Sequence, residues 1–573
     1  MQKPLAILCA ILVASLPAAA QDATTLAQRV QQVTARPMFK HSTFGVEIYD
    51  QTAHKTLVSI NENQLFTAGS TTKLVTMGTA LALMGPDYRF HTRVFHTGTI
   101  AEDGTLNGDL VLVASGDLNL SGRVLANDTL DWAARDHAYA GVLPGKSVAG
   151  EPLRVMKELA AGVLMKGIWR VRGHVIVDAS MFSSNQFEPA THTAISPVML
   201  NDNVIDVIAT SAPSVGGPVS IEVAPELPYL RVINKVRTGK PDSDPELGFT
   251  SDVTEADGSH TVVLVGSVPA GKEKAQAAYK VKEPIRFAAE GFREALRWAG
   301  VVLEPPASSS MPASTSEEAD VVNDAVPSEL AEHVSPPFRE EIRLTLKVSQ
   351  NLHAATTPYL LGSILSHGSA DAGLQGLALE RRFLANAGLD PETVSQLDGE
   401  GGVGSAFSPD FIVRYLDFMS RQPYGQLFFD ALPVLGRDGT LAEVLTDSPG
   451  AGRVHAKTGS YVVANNLDGG VMLLGKGLAG YVDAQNGHRL VFAAFVNMVA
   501  LRNMDEVATV GETLAEISAM ACQYAPRPTV AKATTAGATH KPVNADAAKK
   551  APAAHKAPAT KPSRKAARKP VHN

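Results

Sequence analysis

Three short segments, far apart in the chain, place the tightest constraint on its fold. TAGSTTKLVT (67–76) carries Ser70 and Lys73. KVSQNLHAA (347–355) carries Ser349 and Asn351, and VHAKTGSYV (454–462) carries Lys457, Thr458, Gly459 and Ser460. Taken singly they mean little: Ser-x-x-Lys also describes a helix-capping serine followed by a solvated lysine, and Ser-x-Asn is common. Taken together and in this order they supply a hydroxyl nucleophile, amines to take its proton, and cations. Positions i and i+3 of a helix share a face, with Cβ atoms about 5–6 Å apart, so Lys73 would sit beside Ser70. If all three segments meet, the 279 positions from Ser70 to Ser349 (349 − 70) must be carried as an insertion. One domain would then be built from both ends of the chain.

The local patterns agree with that plan. TFGVEIYD (43–50) and KTLVSI (55–60) read as a hairpin. Ser70 is expected to cap a helix whose apolar face is Leu74, Met77, Leu81 and Met84, ended by Gly85-Pro86. Near the other end, RLVFAAFVN (489–497) is an apolar run of buried-strand type. The segment 504–525 is a helix with Val507, Val510, Leu514, Ile517 and Ala521 on one side. The middle holds strand-and-turn runs: GDLVLVASGDLNL (108–120), GHVIVDASMF (173–182), VSIEVAP (219–225) and HTVVLVGSV (260–268). The expected organisation is an α+β domain from residues 22–95 and 341–525, interrupted by a β-rich insertion, 96–340, with a linker at 305–320.

Two stretches are of another kind. MQKPLAILCAILVASLPAAAQ has one lysine, an apolar run from Leu5 to Leu16 and a small-residue cleavage site, the pattern of a signal peptide over 1–20 and of an exported, periplasmic protein. The run 526–573 holds eleven Lys or Arg and one acid, Asp546, a net +10; the whole chain is −7, so the rest carries −17. That Ala/Lys/Pro tail has too little apolar surface to offset chain entropy and is expected to be disordered. Its charge suits an anionic lipid or envelope polymer; no specific nucleic acid is expected.

Removing the signal peptide removes Cys9 and leaves Cys522, so no internal disulfide is expected. Cys522 closes an apolar-periodic helix and reads as a partly buried packing residue, not a nucleophile. The sixteen histidines show no metal-ligand spacing, and His353 and His455 read as packing or surface residues. No phosphate-cradling loop is present, and no cofactor, nucleotide or metal is expected.

The motif triple resembles that of the D-alanyl-D-alanine carboxypeptidase/endopeptidase family, the low-molecular-mass class C penicillin-binding proteins. The resemblance extends over about residues 40–520. NENQLFTAGSTTKLVTMGTALALMGPDYRFHTRV is similar to the family's first-motif region, with Ala68-Gly69 where Pro-Ala is usual. LDGEGGVGSAFSP (397–409) resembles its Asp-Gly-Ser-Gly-Leu-Ser segment, here with Glu400 and Gly401-Gly402. GLAGYVDAQNGHRLVFAAFVN resembles its last strands. Departures are Gln350 within the second motif, the lack of an acid shortly after it, and about a dozen residues, 465–476, inserted after the third motif.

The resemblance implies a penicillin-binding-protein/β-lactamase-like fold, an antiparallel sheet flanked by helices. It implies that Ser70 attacks a D-Ala-D-Ala stem peptide of peptidoglycan to form an acyl-enzyme, and that β-lactams acylate the same serine. Lys73 would accept the Ser70 proton, Ser349 would relay one to the leaving amine, and Asn351 would hold the substrate amide. Lys457 would supply positive potential, while Thr458 and Ser460 would contact the substrate carboxylate. Gly459 would let a substrate backbone approach, and the N–H groups of Ser70 and Ser460 would form an oxyanion hole. A β-lactamase and a catalytically inactive envelope-binding protein are the alternatives. The long gap between the first two motifs argues against the former, and the complete motif set against the latter.

Overall fold

Strand RLVFAAFVN is apolar at almost every position because both of its faces are covered. It lies in Arg489–Leu501, at the centre of a five-stranded sheet ordered Lys55–Ile60, Thr43–Asp50, Arg489–Leu501, Val471–Asp483, Val454–Ala464, every pairing antiparallel. Successive side chains of a strand point to opposite faces. Val491, Ala493 and Phe495 join the core beneath the first-motif helix, whereas Leu490, Phe492, Ala494 and Val496 join the core beneath the terminal helices. The amino-terminal hairpin pairs directly with this strand, Thr43 opposite Asn497 through Asp50 opposite Leu490. The sheet is therefore assembled from both ends of the sequence. The fold is α+β, an antiparallel sheet between helical layers.

The structure, a computed structural model, describes residues 25–140, 145–183, 186–304, 328–366 and 371–524. The expected signal peptide at 1–20, the linker at 305–320 and the basic tail at 526–573 lie outside the described residues. Among the described residues, no helix is long and apolar enough to cross a membrane.

One face of the sheet is covered by Leu26–Thr34 and Asp505–Cys522. Val507, Val510, Leu514, Ile517 and Ala521 are all buried in the latter. Cys522 is more deeply placed than its position at a helix end suggested: it is fully buried, its thiol 3.2 Å from the Pro449 carbonyl oxygen. The other face carries Thr72–Met84, Phe338–Val348, Asn351–Leu365 and Pro409–Ser420. Thr72–Met84 is buried on every side from Thr72 to Leu81, not along one stripe. Most of its polar residues are threonines, and Gly78 leaves room for the Tyr415 hydroxyl, which a Cβ would meet at 2.1 Å. Ser70 does not cap this helix. It sits in a preceding 3₁₀ turn, Gly69–Thr71, where a lysine claims its hydroxyl; the N-cap residue is Thr71, with no side-chain cap.

Between the two parts of that domain, the described residues of the insertion mix strands with two α-helices, Arg154–Met165 and Pro284–Trp298, about a core including Val94, Leu112, Leu159, Val171 and Phe292. The apolar runs form shorter strands than they suggested, Leu110–Val113, Val175–Asp178 and Ser220–Ala224, with His260–Pro269 at full length. In the first run the strand ends at Val113, and Gly116 beyond it adopts φ +84°. Strand His91–His96 pairs with Leu110–Val113 and with Ser328–Val334, so the boundary expected at 95/96 falls inside an inserted sheet.

A buried charge network ties the insertion to the second-motif helix. Arg123, fully enclosed, donates to Asp202 Oδ2 at 2.9 and 2.6 Å and to Asp136 Oδ2 at 2.6 Å. His137 bridges Asp202 and Asp206, and His353 bridges Asp202 (2.9 Å) and Glu341 (3.0 Å). Burial alone would push both histidines down. Asp206 and Asp202 around His137, and Glu341 and Asp202 around His353, outweigh it and hold each at about 10. Both imidazoles are therefore cations at neutral pH, and His353 is a charged link between the two parts of the fold.

Candidate active site

The three motifs converge. Lys73 Nζ donates to Ser70 Oγ at 2.7 Å and to Asn351 Oδ1 at 2.6 Å, and lies 3.5 Å from Ser349 Oγ. From the other side Lys457 Nζ donates to Ser349 Oγ at 2.8 Å and to the Thr458 carbonyl at 2.8 Å. Ser349 thus stands between two lysines, both fully buried. Each motif is positioned by local geometry. Ser349 ends helix Phe338–Val348 in the left-handed region, φ +63°, and Gln350 starts Asn351–Leu365 by accepting from the Leu352 N–H at 3.0 Å. Gln350, the departure within the motif, acts as a helix cap.

Gly459 is required by the protein's own backbone. A Cβ there would lie 2.2 Å from the Ala68 carbonyl oxygen, 2.7 Å from Thr71 N and 3.1 Å from Ser70 N. Gly69, at φ +50°, faces the strand in return: its Cβ would meet Ser460 N at 2.6 Å. This mutual approach brings the amides of Ser70 and Ser460 to the same edge. Thr458 Oγ1 lies 3.1 Å from Thr440 Oγ1, and Ser460 Oγ accepts from Lys476 Nζ at 2.8 Å. Of the twelve-residue stretch after the third motif, 465–470 is the turn of a hairpin and 471–476 is strand. It extends the hairpin, with Ala464 opposite Val471 and Ser460 opposite Lys476.

The electrostatics favour proton transfer. Burial pushes Lys73 down to about 8, while Glu400, Glu188 and Asp398 partly restore its proton. Lys457 is held well below the usual lysine range by burial and then by Lys73 and Lys476. Glu400 is pushed up to about 9 by burial and by Glu188, with Lys73 opposing. Its backbone oxygen lies 3.4 Å from Lys73 Nζ. The Ala190 N–H, from the insertion, donates to both Glu188 Oε2 (2.6 Å) and Glu400 Oε1 (3.2 Å). Two buried carboxyl groups therefore share one donor beside the lysine that contacts the serine.

Sequence reasoning misses Tyr139, Glu188 and the part played by Lys476, and notes Glu400 only as a departure. An acid within a glycine run is the one available signal. Tyr139 OH donates to the Ser349 carbonyl at 2.7 Å and accepts from the Asn351 N–H at 2.9 Å, holding the second motif from the insertion. Tyr139→Phe is expected to slow acylation by a penicillin about tenfold through loosened geometry, since 1 Å misplacements cost up to ~10²-fold. Stopped-flow acylation checks this, with an unchanged melting temperature separating loss of positioning from loss of fold.

Comparison with known proteins follows the same lines. The profile of the D-Ala-D-Ala carboxypeptidase 3 (S13) family matches residues 26–517. The chain is 26% identical over 467 residues to a D-alanyl-D-alanine carboxypeptidase of Actinomadura sp. (strain R39), covering 78% of each. It is 24% identical over 462 residues to penicillin-sensitive carboxypeptidase A of Dictyostelium discoideum, covering 78% of this chain and 81% of that one. Among solved structures, penicillin binding protein 4 (dacB) from Haemophilus influenzae shares the fold with a TM-score of 0.63 at 18% identity, over 86% of this chain and 99% of the other.

Proposed function

The chain belongs to the D-Ala-D-Ala carboxypeptidase 3 (S13) family of serine peptidases, and from that premise we propose that the Ser70 cluster removes the terminal D-Ala of peptidoglycan stem peptides. Lys73, as the free amine, takes the Ser70 proton while Oγ attacks the carbonyl carbon of the penultimate D-Ala. The oxyanion is met by the N–H groups of Ser70 and Ser460. The proton passes through Ser349 to the departing amine, with the Lys457 amine 2.8 Å behind Ser349 Oγ. Water then releases the acyl group with Lys73 again as base, and Asn351 orients the substrate amide. A β-lactam carbonyl enters the same attack and leaves the serine acylated. The observation carrying this reading is the 2.7 Å contact between Ser70 Oγ and a fully buried Lys73 whose proton affinity burial has lowered.

The apolar Leu5–Leu16 run and the substrate class support a periplasmic setting for this chemistry, and the basic 526–573 tail supports a hold on anionic envelope polymers. The test is to treat the purified protein with fluorescent penicillin, map the adduct by mass, and digest muropeptides in parallel. The expected results are a penicilloyl adduct on the peptide that carries Ser70 and loss of single D-Ala residues from pentapeptides. Conversion of cross-linked dimers to monomers would add endopeptidase activity. A folded protein that takes up no penicillin and trims no muropeptide would overturn the reading.

A further inference from the structure

Glu400 is an acid where the family's segment has serine, and a second acid, Glu188, reaches it from the insertion. Both are buried. Glu188 follows the short strand Gln186–Phe187 and is well supplied with donors. Its Oε1 accepts from the Thr191 N–H at 2.7 Å and from the Thr191 hydroxyl, and its Oε2 from the Ala190 N–H at 2.6 Å. Such donors favour a carboxylate. Glu400 has only the longer branch of that Ala190 N–H, 3.2 Å from its Oε1, and among the described residues no donor reaches its buried Oε2. A buried carboxylate so poorly served is costly, whereas a protonated Glu400 has an O–H to give to Glu188. The surrounding backbone holds the two acids in place. Asp398 Oδ1 accepts from the N–H groups of Glu400, Gly401 and Gly402. A Cβ on Gly402 would meet the Pro189 ring at 3.2 Å, and one on Gly401 would lie 1.9 Å from the Gly69 carbonyl oxygen, one residue before the nucleophile.

We propose that Glu188 and Glu400 are a proton-sharing pair of positioning residues that acts on the reaction through Lys73: one proton held between them limits the negative charge beside the amine to a single unit, and so leaves the amine free to take the Ser70 proton. This rests on the acyl-transfer reading of the cluster. Glu400, Glu188 and Asp398 all strengthen the hold of Lys73 on its proton, and burial opposes them. Two full charges on the pair would fix Lys73 as an ammonium and remove the base, whereas one leaves the free amine within reach near neutral pH. Lys457 faces Lys73 from the third-motif strand. Lys280, at the end of strand Lys274–Lys280, faces Glu188, and Tyr139, kept un-ionised by burial, faces both acids. Because Glu400 is one of this chain's departures from its family's pattern, the pair belongs to this chain's own site.

The experiment uses the full protein. At pH 7 an infrared difference spectrum, native minus Glu400→Gln, should show the C=O stretch of a buried protonated carboxyl, fading as pH rises through about 9. The Nζ signal of Lys73 in protein labelled with nitrogen-15 lysine, assigned by its loss in Lys73→Met, reads the amine directly. Glu400→Gln, neutral like the acid it replaces, should leave the Lys73 titration midpoint within about half a pH unit. Adding Glu188→Gln removes the pair's charge and should move the midpoint down by about one pH unit or more, the scale of one close opposite charge. Acylation by penicillin at pH 6 should then quicken by up to about tenfold. A spectrum without the band overturns the pair. So does a Glu400→Gln shift as large as that of the double variant, or a double variant that keeps the native midpoint. Where the double variant fails to fold, the band and the Glu400→Gln midpoint decide alone. If the native protein takes up no penicillin, the peptidase reading falls, and the band with the Nζ titration still decides the pair.

Discussion

Lys73→Met is expected to slow acylation of Ser70 by penicillin about 10²- to 10⁴-fold, the range for removing a positioned general base. Methionine keeps the length and the apolar stem while removing the nitrogen that contacts Ser70, Asn351, Ser349 and the Glu400 carbonyl. The pH profile distinguishes a base from a packing group. Only the neutral amine takes a proton, and burial sets the ammonium to lose its proton near 8, so acylation of the native protein should rise with pH through that value. The Met variant should show no such rise. The sign for stability runs the other way from most charge deletions. Folding lowers the affinity of this amine for its proton, so the ammonium is carried at a cost below about 8, a cost that fades as pH climbs toward the ordinary lysine value. Lys73→Met should therefore melt no lower than the native protein at pH 7. Acylation within threefold of the native rate, on stopped-flow, would remove Lys73 from the role of base.

Asp202→Asn is expected to cost about 3–5 kcal/mol, the range for removing one member of a buried ion network. Total stability is typically ~5–15 kcal/mol, so much of it would be lost. Asparagine is the right replacement because Asp202 sits at φ +53° between Asn201 and Asn203, both also left-handed, and Asn tolerates that backbone. What changes is the charge shared by Arg123, His137 and His353. Both histidines are held up at about 10. Their contribution to stability is fully present below the ordinary histidine value near 6.5 and is lost as pH rises through about 10. The native protein should lose stability between these limits, and Asp202→Asn should show a shallower decline over the same window. Urea midpoints at pH 6, 8 and 10 measure both effects. A variant as stable as the native protein at pH 6 would show that the network adds no net stability there.

Part of this architecture is legible in the order of residues alone. The apolar run 489–497 predicts a buried strand, and the spacing of Val507, Val510, Leu514 and Ile517 predicts a helix with one covered side; the two pack against each other in the same core. These readings succeed because the repeats of strands and helices are local, and one covered face imposes its period directly on the sequence. Ser70 reads equally well as a cap because the same residue type serves both purposes, and only its neighbour at 2.7 Å shows which. The reason for Gly459 is likewise invisible in sequence: a glycine records close approach, but not whether a substrate or the Ala68 carbonyl approaches.

The sequence by itself determined the chemical inventory of the site and the order of its parts: a serine and lysine one turn apart, a second serine beside an amide, and a lysine before a threonine and glycine. It also pointed to a principal domain shared by the two ends of the chain. Only the tertiary structure decided what surrounds that inventory. Tyr139 reaches Ser349 across 210 positions of chain, the Ala190 amide reaches Glu400 across 210, and His353 reaches Asp202 across 151. No periodicity announces such partners, because each is imposed by two surfaces packing together. The proton affinity of Lys73 and the charge on His353 follow from that packing, since burial and neighbouring charges act through space and not along the chain.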